Sequence, residues 1–545
     1  MLNYVERSPL VTDTPLFHEN FKKIQEIYSD LLLDNPGLDQ RPYQPQLAAM
    51  YASRPNNICV GGQGLGKTLI TGLIISLLLS TFQKKSPNPG TVQIAVPSLL
   101  FGRSRWLPDL LLLRDLQDCV EVINSDKQLL ASKKPCWVYT HDFLKRKTKQ
   151  LSTARPYVSR LIVKNKLFPK LLIVDEAHHL QAKSLRMQHM QILRKRAERV
   201  LLLSGTLADD LEHLHCLLKF CYRRDWKTSR SAFLQEFQTI KQSKTNYLAG
   251  EEDLVDLPKR YLPQLSVFKV PDYYTQMKTK VHRVTLNDSF VRSVIKLPEP
   301  RKRVELVELD LVHNQDYKNL VHRHLNDIRS CRDYRAEAKA LQIIHPLIKC
   351  VNFPDGHVST KIQRCVELVG EFKARGLKTV VFHNNVGSGR LVYSELQKKF
   401  GEESVVRLYA EDAEATPKHM NTDKREEALT KFLFSEKVCA GVFSIRLAGE
   451  SLDLLQASAI IFYDVPWEII KVAQATSRCV RPGAVNDFVE IVHLVAPKTI
   501  DEHMHELAAE KLKHMQLLLD YSPDQGYDPG RIKALDILDK ILEAI

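Results

Sequence analysis

Gly61-Gly62-Gln63-Gly64-Leu65-Gly66-Lys67-Thr68 keeps the spacing Gly-x4-Gly-Lys-Ser/Thr. Glycines so placed let backbone N–H groups curl around phosphates, and a helix starting at the lysine adds the positive end of its dipole. Lys67 can neutralise charge on the β- and γ-phosphates, and the Thr68 hydroxyl can hold magnesium. Downstream, Leu171-Leu172-Ile173-Val174 runs into Asp175-Glu176-Ala177-His178. A carboxylate at the carboxyl end of a buried strand stands where open α/β sheets bind ligands. Asp175 is placed to bind the magnesium directly or through water, and Glu176 to orient and deprotonate an attacking water. Near the other end, Gln474-Ala475-Thr476-Ser477-Arg478-Cys479-Val480-Arg481 carries two arginines three residues apart, the spacing of one helical turn. On their own these arginines read as a solvated helix face.

The elements that must position these groups are legible as alternation. Ile58 to Val60 leads into the glycine loop, and the apolar stretch Leu69 to Leu79 follows it as a buried helix. Val92 to Val96, Trp137 to Tyr139, Leu171 to Val174 and Val200 to Leu203 are further buried-strand candidates between helical stretches. Such alternation implies a parallel sheet covered on both faces. From about Ala208 to Ser359 the chain reads as long, charged and helical, and a second alternating series begins with Thr379 to Phe382. Val405 to Leu408, Gly441 to Phe443, Ala459 to Tyr463 and Val489 to Leu494 continue it, and Phe17 to Leu33 has apolar residues at helical spacing.

At 545 residues the chain is too long for one ordinary core, so two to four domains are expected. A formal charge of +14 and a pI near 9.1 suit a polyanionic partner such as nucleic acid, and equally a ribosomal, membrane-surface or solubilising role. The ten cysteines are scattered without a Cys-x-x-Cys pair, which argues against a disulfide framework or structural zinc and for a reducing compartment. His178/His179, His213/His215/Cys216 and His503/His505 lack spacing that would ligate zinc. Neither a signal peptide nor an apolar run long enough to span a bilayer is visible, so an intracellular soluble protein without membrane contact is expected.

The phosphate loop, Asp175-Glu176-Ala177-His178 (a DEAH box), Ser204-Gly205-Thr206 after an apolar strand, and Gln474…Arg478…Arg481 occur here in one order. Together they resemble a superfamily-two helicase or translocase from about Arg41 to Lys511. Within that superfamily the likeness is to the Swi/Snf-like DNA translocases. Asp210 to Leu214, Leu217 to Phe220, Val294 to Pro298 with Gln315-Asp316-Tyr317, Ser444 with Ala448 to Leu454, and Tyr463 to Trp467 carry it. Leu207, Asp453 and Cys479-Val480 depart from the group's usual proline, asparagine and small-residue-histidine, marking a divergent and compact member, expected to be bacterial or viral. With no bromodomain-like, chromodomain-like or zinc module in the chain, a nucleosome remodeller is not expected.

The resemblance implies an α/β fold of two RecA-like parallel-sheet domains in tandem, with a helical insertion between them. The expected boundaries are an N-terminal helical lead at 1–40, a first ATP-binding domain at 41–225, the insertion at 226–358, a second domain at 359–511 and a helical tail at 512–545. It implies ATP and Mg2+ as ligands, Gln44 of Arg41-Pro42-Tyr43-Gln44 as the adenine contact, and His178 as a group coupling the two domains. Arg478 and Arg481 would stabilise charge on the γ-phosphate, with Gln474 placing the water or sensing the nucleotide. Ala95-Val96-Pro97 and Tyr139-Thr140-His141 resemble motifs that touch the nucleic-acid backbone, and Lys145-Arg146-Lys147, Arg223-Arg224 and Lys373 to Lys378 are further basic candidates. The expected activity is that of an ATP-driven motor moving along or remodelling duplex or branched DNA, with a strand-separating DNA or RNA helicase as the alternative. RNA is a second choice of track, and the protein is expected to work as a monomer or loaded by a partner. Its expected place is the cytoplasm of a bacterium or virus-infected host, with the nucleus as the alternative.

Overall fold

Asn56–Gly61 forms strand β1, followed across the glycine loop by the helix Lys67–Gln83. The helix is apolar on every side because it is buried on every side, from Leu69 to Leu79. The computed structural model describes residues 14–62, 64–83, 88–97, 106–144, 157–182, 184–205, 211–233, 281–284, 291, 294–330, 336–353, 358–408, 411–413, 416–418, 422–445, 454–464, 466, 470–509, 537 and 541. Gln63, Lys145-Arg146-Lys147, Thr206, Leu207, Asp210, Ala448 to Asp453, Trp467 and nearly all of the tail from Leu512 lie outside them. The chain divides between Ile295 and Lys296 into two compact units.

In the first unit β1 is joined by β2 (Val92–Val96), β3 (Val120–Val122), β4 (Cys136–Thr140), β5 (Leu171–Val174), β6 (Arg199–Ser204) and β7 (Val281–Val284). All pair in parallel, in the order β3-β4-β2-β5-β6-β1-β7. The interior strands β2 and β5 are buried at every position, which is why they read as unbroken apolar runs. The N-terminal helix Pro15–Asp34, capped by Thr14, buries Phe17, Asn20, Ile24, Tyr28 and Leu31. It belongs to this unit: the Asn20 side chain donates to Ser53 Oγ at 3.1 Å, and Tyr28 Oη accepts from the Arg41 backbone N–H at 2.7 Å.

The second unit holds β8 (Glu299–Leu306), β9 (Thr379–His383), β10 (Val405–Leu408), a two-stranded antiparallel ribbon of β11 (Glu411–Ala413) and β12 (Thr416–Lys418), β13 (Ala440–Ser444), β14 (Ala459–Phe462) and β15 (Phe488–Val495). Its main sheet is again wholly parallel, ordered β10-β13-β9-β14-β15-β8. The helices Leu311–Ser330 and Ala336–Asn352 form a separate cluster with Ile500, Met504, Ile537 and Ile541.

The segment 226–358, expected to be a helical insertion, is not only that. Its β7 extends the first sheet beside β1, and its β8 extends the second beside β15. Both are edge strands, and β8 (Glu-Pro-Arg-Lys-Arg-Val-Glu-Leu) is exposed at nearly every position. With neither face buried, the strand has no apolar alternation for a sequence reading to find.

Candidate nucleotide site

Carboxyl ends of three neighbouring strands of the first sheet carry the sequence-predicted groups. The order β5-β6-β1 sets Asp175, Ser204 and the loop after Gly61 side by side, with Val60 in register with Ser204 and Leu202 with Val174. Strands lie about 4.8 Å apart, so two spacings leave roughly 10 Å between the loop and Asp175, room for a phosphate and a metal ion.

The loop is shaped by glycine. Gly64 and Gly66 have φ of +86° and +83°, in the left-handed region. A Cβ on Gly66 would also meet Gln44 Nε2 at 2.2 Å, so the Gln44 amide fills the space beside it. Three side chains of the Arg41 to Gln44 element donate to the loop's carbonyls: Arg41 Nη1 to Gly64 O at 2.8 Å, Tyr43 Oη to Leu65 O at 3.1 Å, and Gln44 Nε2 to Leu65 O at 3.3 Å. Buried polar groups need partners, and these bonds hold the carbonyls in place. Gln44 Oε1 is buried without a partner among the described residues. Burial pushes the Tyr43 hydroxyl up to about 12, so it stays a donor. Lys67 Nζ lies on the loop itself, donating to Gly61 O at 2.8 Å and Gly62 O at 3.4 Å.

Asp175 is 6 % exposed and already engaged. Its Oδ2 accepts the indole N–H of Trp106 at 2.8 Å, and its Oδ1 accepts the backbone N–H of Glu176 at 2.9 Å. Burial, followed by the charge of Glu176, raises its pKa, while Lys67 and the Trp106 bond act the other way. Glu176 has φ 47° and ψ 52°, a left-handed conformation for a residue with a Cβ. Such a cost of order 1–3 kcal/mol is typical of functional sites. Its Oε2 lies 3.3 Å from His178 Nδ1, which also meets Ser204 Oγ at 2.9 Å. His178 thus ties the ends of β5 and β6 together.

Tyr139 and His141, resembling residues that touch a nucleic-acid backbone, are interior instead. Tyr139 is fully buried and donates to Gln93 Oε1 at 3.0 Å. His141, 1 % exposed, contacts Asp175 O through Nε2 at 3.0 Å, and burial pushes its pKa down to about 4. A neutral ring donating from Nε2 fixes the peptide that carries the carboxylate pair. Neither this role nor that of Trp106 has a signal in the sequence, because their partners lie 34 and 69 residues away.

In the second unit, Gln474 and Arg478 sit on the helix Ile470–Cys479 and are buried, at 5 % and 3 % exposed. Arg481 is not one helical turn further along the same face, as its spacing implied. The helix ends at Cys479, and Arg481 lies in the bend that follows, its N–H reaching back to Cys479 O at 3.0 Å. Pro482 disfavours the helical region for the residue before it, and Gly483, at φ +85°, completes the turn. Asp464, 2 % exposed, accepts from the backbone N–H groups of Asn384 and Asn385 and from Ser388 Oγ at 3.0 Å, and so holds the turn that leads from β9 into the helix Val386–Phe400.

The first unit therefore has the residues to hold a nucleoside triphosphate with a divalent cation. Loop N–H groups and the Lys67 ammonium are groups that would suit phosphates, and hard oxygen donors, Thr68 Oγ1 and the Asp175 carboxylate, would suit Mg2+. A phosphate loop and an acidic pair at the carboxyl ends of two strands that flank a third, in one of two parallel α/β sheets, define a P-loop ATPase of helicase type.

Comparison with known proteins gives the family. The SNF2-related domain model matches residues 43–356, more than half of the chain, and the helicase conserved C-terminal domain model matches 360–483. The chain belongs to the SNF2-related family of nucleic-acid-dependent ATPases, as its motifs implied. It is 24% identical over 511 residues to the ISWI chromatin-remodeling complex ATPase ISW1 of Saccharomyces cerevisiae, covering 88% of this chain and 40% of that protein. To the mouse SWI/SNF-related matrix-associated actin-dependent regulator of chromatin subfamily A member 1 it is 23% identical, covering 86% and 42%. The chain thus spans about two fifths of the length of these relatives. Among solved structures, the Sulfolobus solfataricus SWI2/SNF2 ATPase core in complex with dsDNA aligns with 90% of this chain and 94% of its own, at 20% identity and a TM-score of 0.35.

Proposed function

We propose that the chain is an ATP-driven motor that translocates along, or remodels, duplex or branched DNA. The observation that carries this is the placement of the Gly61 to Thr68 loop and of Asp175 and Glu176 at the carboxyl ends of β1 and β5, on either side of β6, in a chain of the SNF2-related family. Lys67 binds the β- and γ-phosphates, Gly61, Gly62, Gly64, Leu65 and Gly66 shape the cradle with Gln63 as part of the same motif, and Gln44 reads adenine through Oε1, which has no partner among the described residues. Thr68 and Asp175 hold Mg2+, which when bound neutralises charge on the phosphate oxygens. Glu176 orients and deprotonates the attacking water. Arg478 and Arg481 stabilise charge on the γ-phosphate, with Gln474 as a water-placing or sensing group; an arginine so used is worth about a thousandfold or more in rate.

The track is gripped mainly through phosphates, so binding is salt-sensitive and largely indifferent to sequence. The +14 charge is consistent with this. The protein works inside the cell, as a monomer or loaded by a partner; among the described residues no helix is long and apolar enough to cross a membrane. The test is ATP hydrolysis without nucleic acid and with duplex DNA, branched DNA, single-stranded DNA or RNA. Stimulation chiefly by duplex or branched DNA supports the reading. Stimulation by single strands with displacement of a complementary strand makes it a strand-separating helicase instead.

A further inference from the structure

Trp106 has no part in the nucleotide chemistry described above, yet its indole N–H is spent on the carboxylate proposed to bind the metal. The bond to Asp175 Oδ2, at 2.8 Å, is buried, and Trp106 is 3 % exposed. The ring opens the short helix Trp106–Leu111, which packs against the phosphate-loop helix. Gly72 of that helix lets the two approach closely: a Cβ there would meet Leu113 Cδ1 at 2.7 Å and Leu110 Cδ2 at 3.3 Å. Ser76 Oγ adds a bond to Asp115 Oδ2 at 2.8 Å. One face of this small helical segment thus packs on the helix that begins with Lys67 and Thr68, and its first residue reaches Asp175.

We infer that Trp106 is a positioning residue for metal binding, a strut that fixes the Asp175 carboxylate relative to the Lys67–Thr68 end of the loop helix. The inference rests on the proposed assignment of Asp175 to the metal. With Oδ1 tied to the Glu176 N–H and Oδ2 to the indole, rotation of the carboxylate about its Cβ–Cγ bond is blocked. Each oxygen keeps a second lone pair for a cation or its bound water. Removing the indole N–H frees that rotation and leaves a buried oxygen under-satisfied. The loss falls on the Mg2+-dependent part of nucleotide affinity, because Trp106 donates to Asp175 and not to the loop.

The experiment measures ADP affinity with and without Mg2+ by calorimetry, in the full chain and in Trp106→Phe, Asp175→Asn and the double variant. The ratio of the two dissociation constants is the readout, and no turnover is needed. Trp106→Phe is expected to shrink the ratio about fivefold or more while leaving Mg2+-free affinity within about twofold, the loss of one hydrogen bond to a charged group. Asp175→Asn should abolish the ratio, and the double variant should match it, since residues acting through one group are not additive. An unchanged ratio in Trp106→Phe with a lost ratio in Asp175→Asn overturns the inference alone. An unchanged ratio in Asp175→Asn overturns the assignment of the metal ligand and the inference with it. A second measurement needs no change at Trp106. In protein labelled with 5-fluorotryptophan, one of the four tryptophan 19F resonances should move when Mg2+ is added to the ADP-bound form, and none should move in Asp175→Asn. No movement in the unsubstituted protein also overturns the inference.

Discussion

Replacing Lys361 by methionine should destabilise the second unit more than any surface change. Lys361 is fully buried, yet it carries an ammonium. Its Nζ pairs with Asp501 Oδ2, donates to Asn352 Oδ1 at 2.7 Å and lies 5.0 Å from the centre of the Tyr463 ring. Asn352 Nδ2 donates to Asp501 Oδ1 at 3.2 Å, and Tyr463 Oη donates to Asn352 O at 2.8 Å. Four segments meet at this one charge: the end of the helix Ala336–Asn352, the start of the helix Thr360–Ala374, the exit of β14 and the stretch after β15. Lys361→Met keeps the aliphatic volume and removes the charge, leaving Asp501, 2 % exposed, without its cation. Breaking one side of a buried pair costs about 3–5 kcal/mol. At about 2–4 °C per kcal/mol, the unit's melting transition should fall by roughly 6–20 °C. Changing both partners, Lys361→Met with Asp501→Leu, should recover part of that loss, because no uncompensated charge remains. Calorimetric melting of the two single variants and the double variant decides it. A loss below about 1 kcal/mol in Lys361→Met, or a double variant worse than the sum of the singles, refutes the reasoning.

Three further outcomes follow from the first unit. Gly66→Ala forces a Cβ into a +83° φ, at about 1–2 kcal/mol, and into the Gln44 amide; nucleotide affinity measured by calorimetry should fall about tenfold or more, and unchanged affinity contradicts the loop geometry. Tyr43→Phe removes one donor to Leu65 O and should cost about 1 kcal/mol of stability in a urea titration. His141 and His282, both pushed down to about 4 chiefly by burial, stay neutral in the folded protein, while the unfolded chain takes up protons below 6.5. Their contribution is complete above pH 6.5 and is lost as the pH falls toward 4, by up to about 1.4 kcal/mol per pH unit for each histidine. Melting temperatures that hold steady from pH 7 to about 5 would count against neutral burial of these rings.

What could be read from the sequence followed what local chemistry constrains. The loop from Gly61 to Thr68 and the strand before Asp175 were legible because each job demands particular residues at fixed offsets. The interior strands were legible because a strand covered on both faces must be apolar throughout. β3, with three half-buried residues, and the exposed edge strand β8 lacked that signature. The Arg478 to Arg481 spacing implied one helix face, and only Pro482 hinted that the helix stops before Arg481. Trp106, His141 and the Lys361–Asp501 pair were illegible for another reason: their partners lie 69, 34 and 140 residues away, and only the folded topology brings them together.

If ATP hydrolysis at Lys67, Asp175 and Glu176 drives movement along duplex DNA, that movement can be followed directly. A third strand bound in the major groove of a duplex reports such movement, since a motor tracking the duplex displaces it without separating the two strands beneath. ATP-dependent release of the third strand is expected from the unsubstituted protein, and none from Glu176→Gln, which should bind ATP without turning it over. Vigorous DNA-stimulated hydrolysis with no third-strand release, or release that persists in Glu176→Gln, would contradict it.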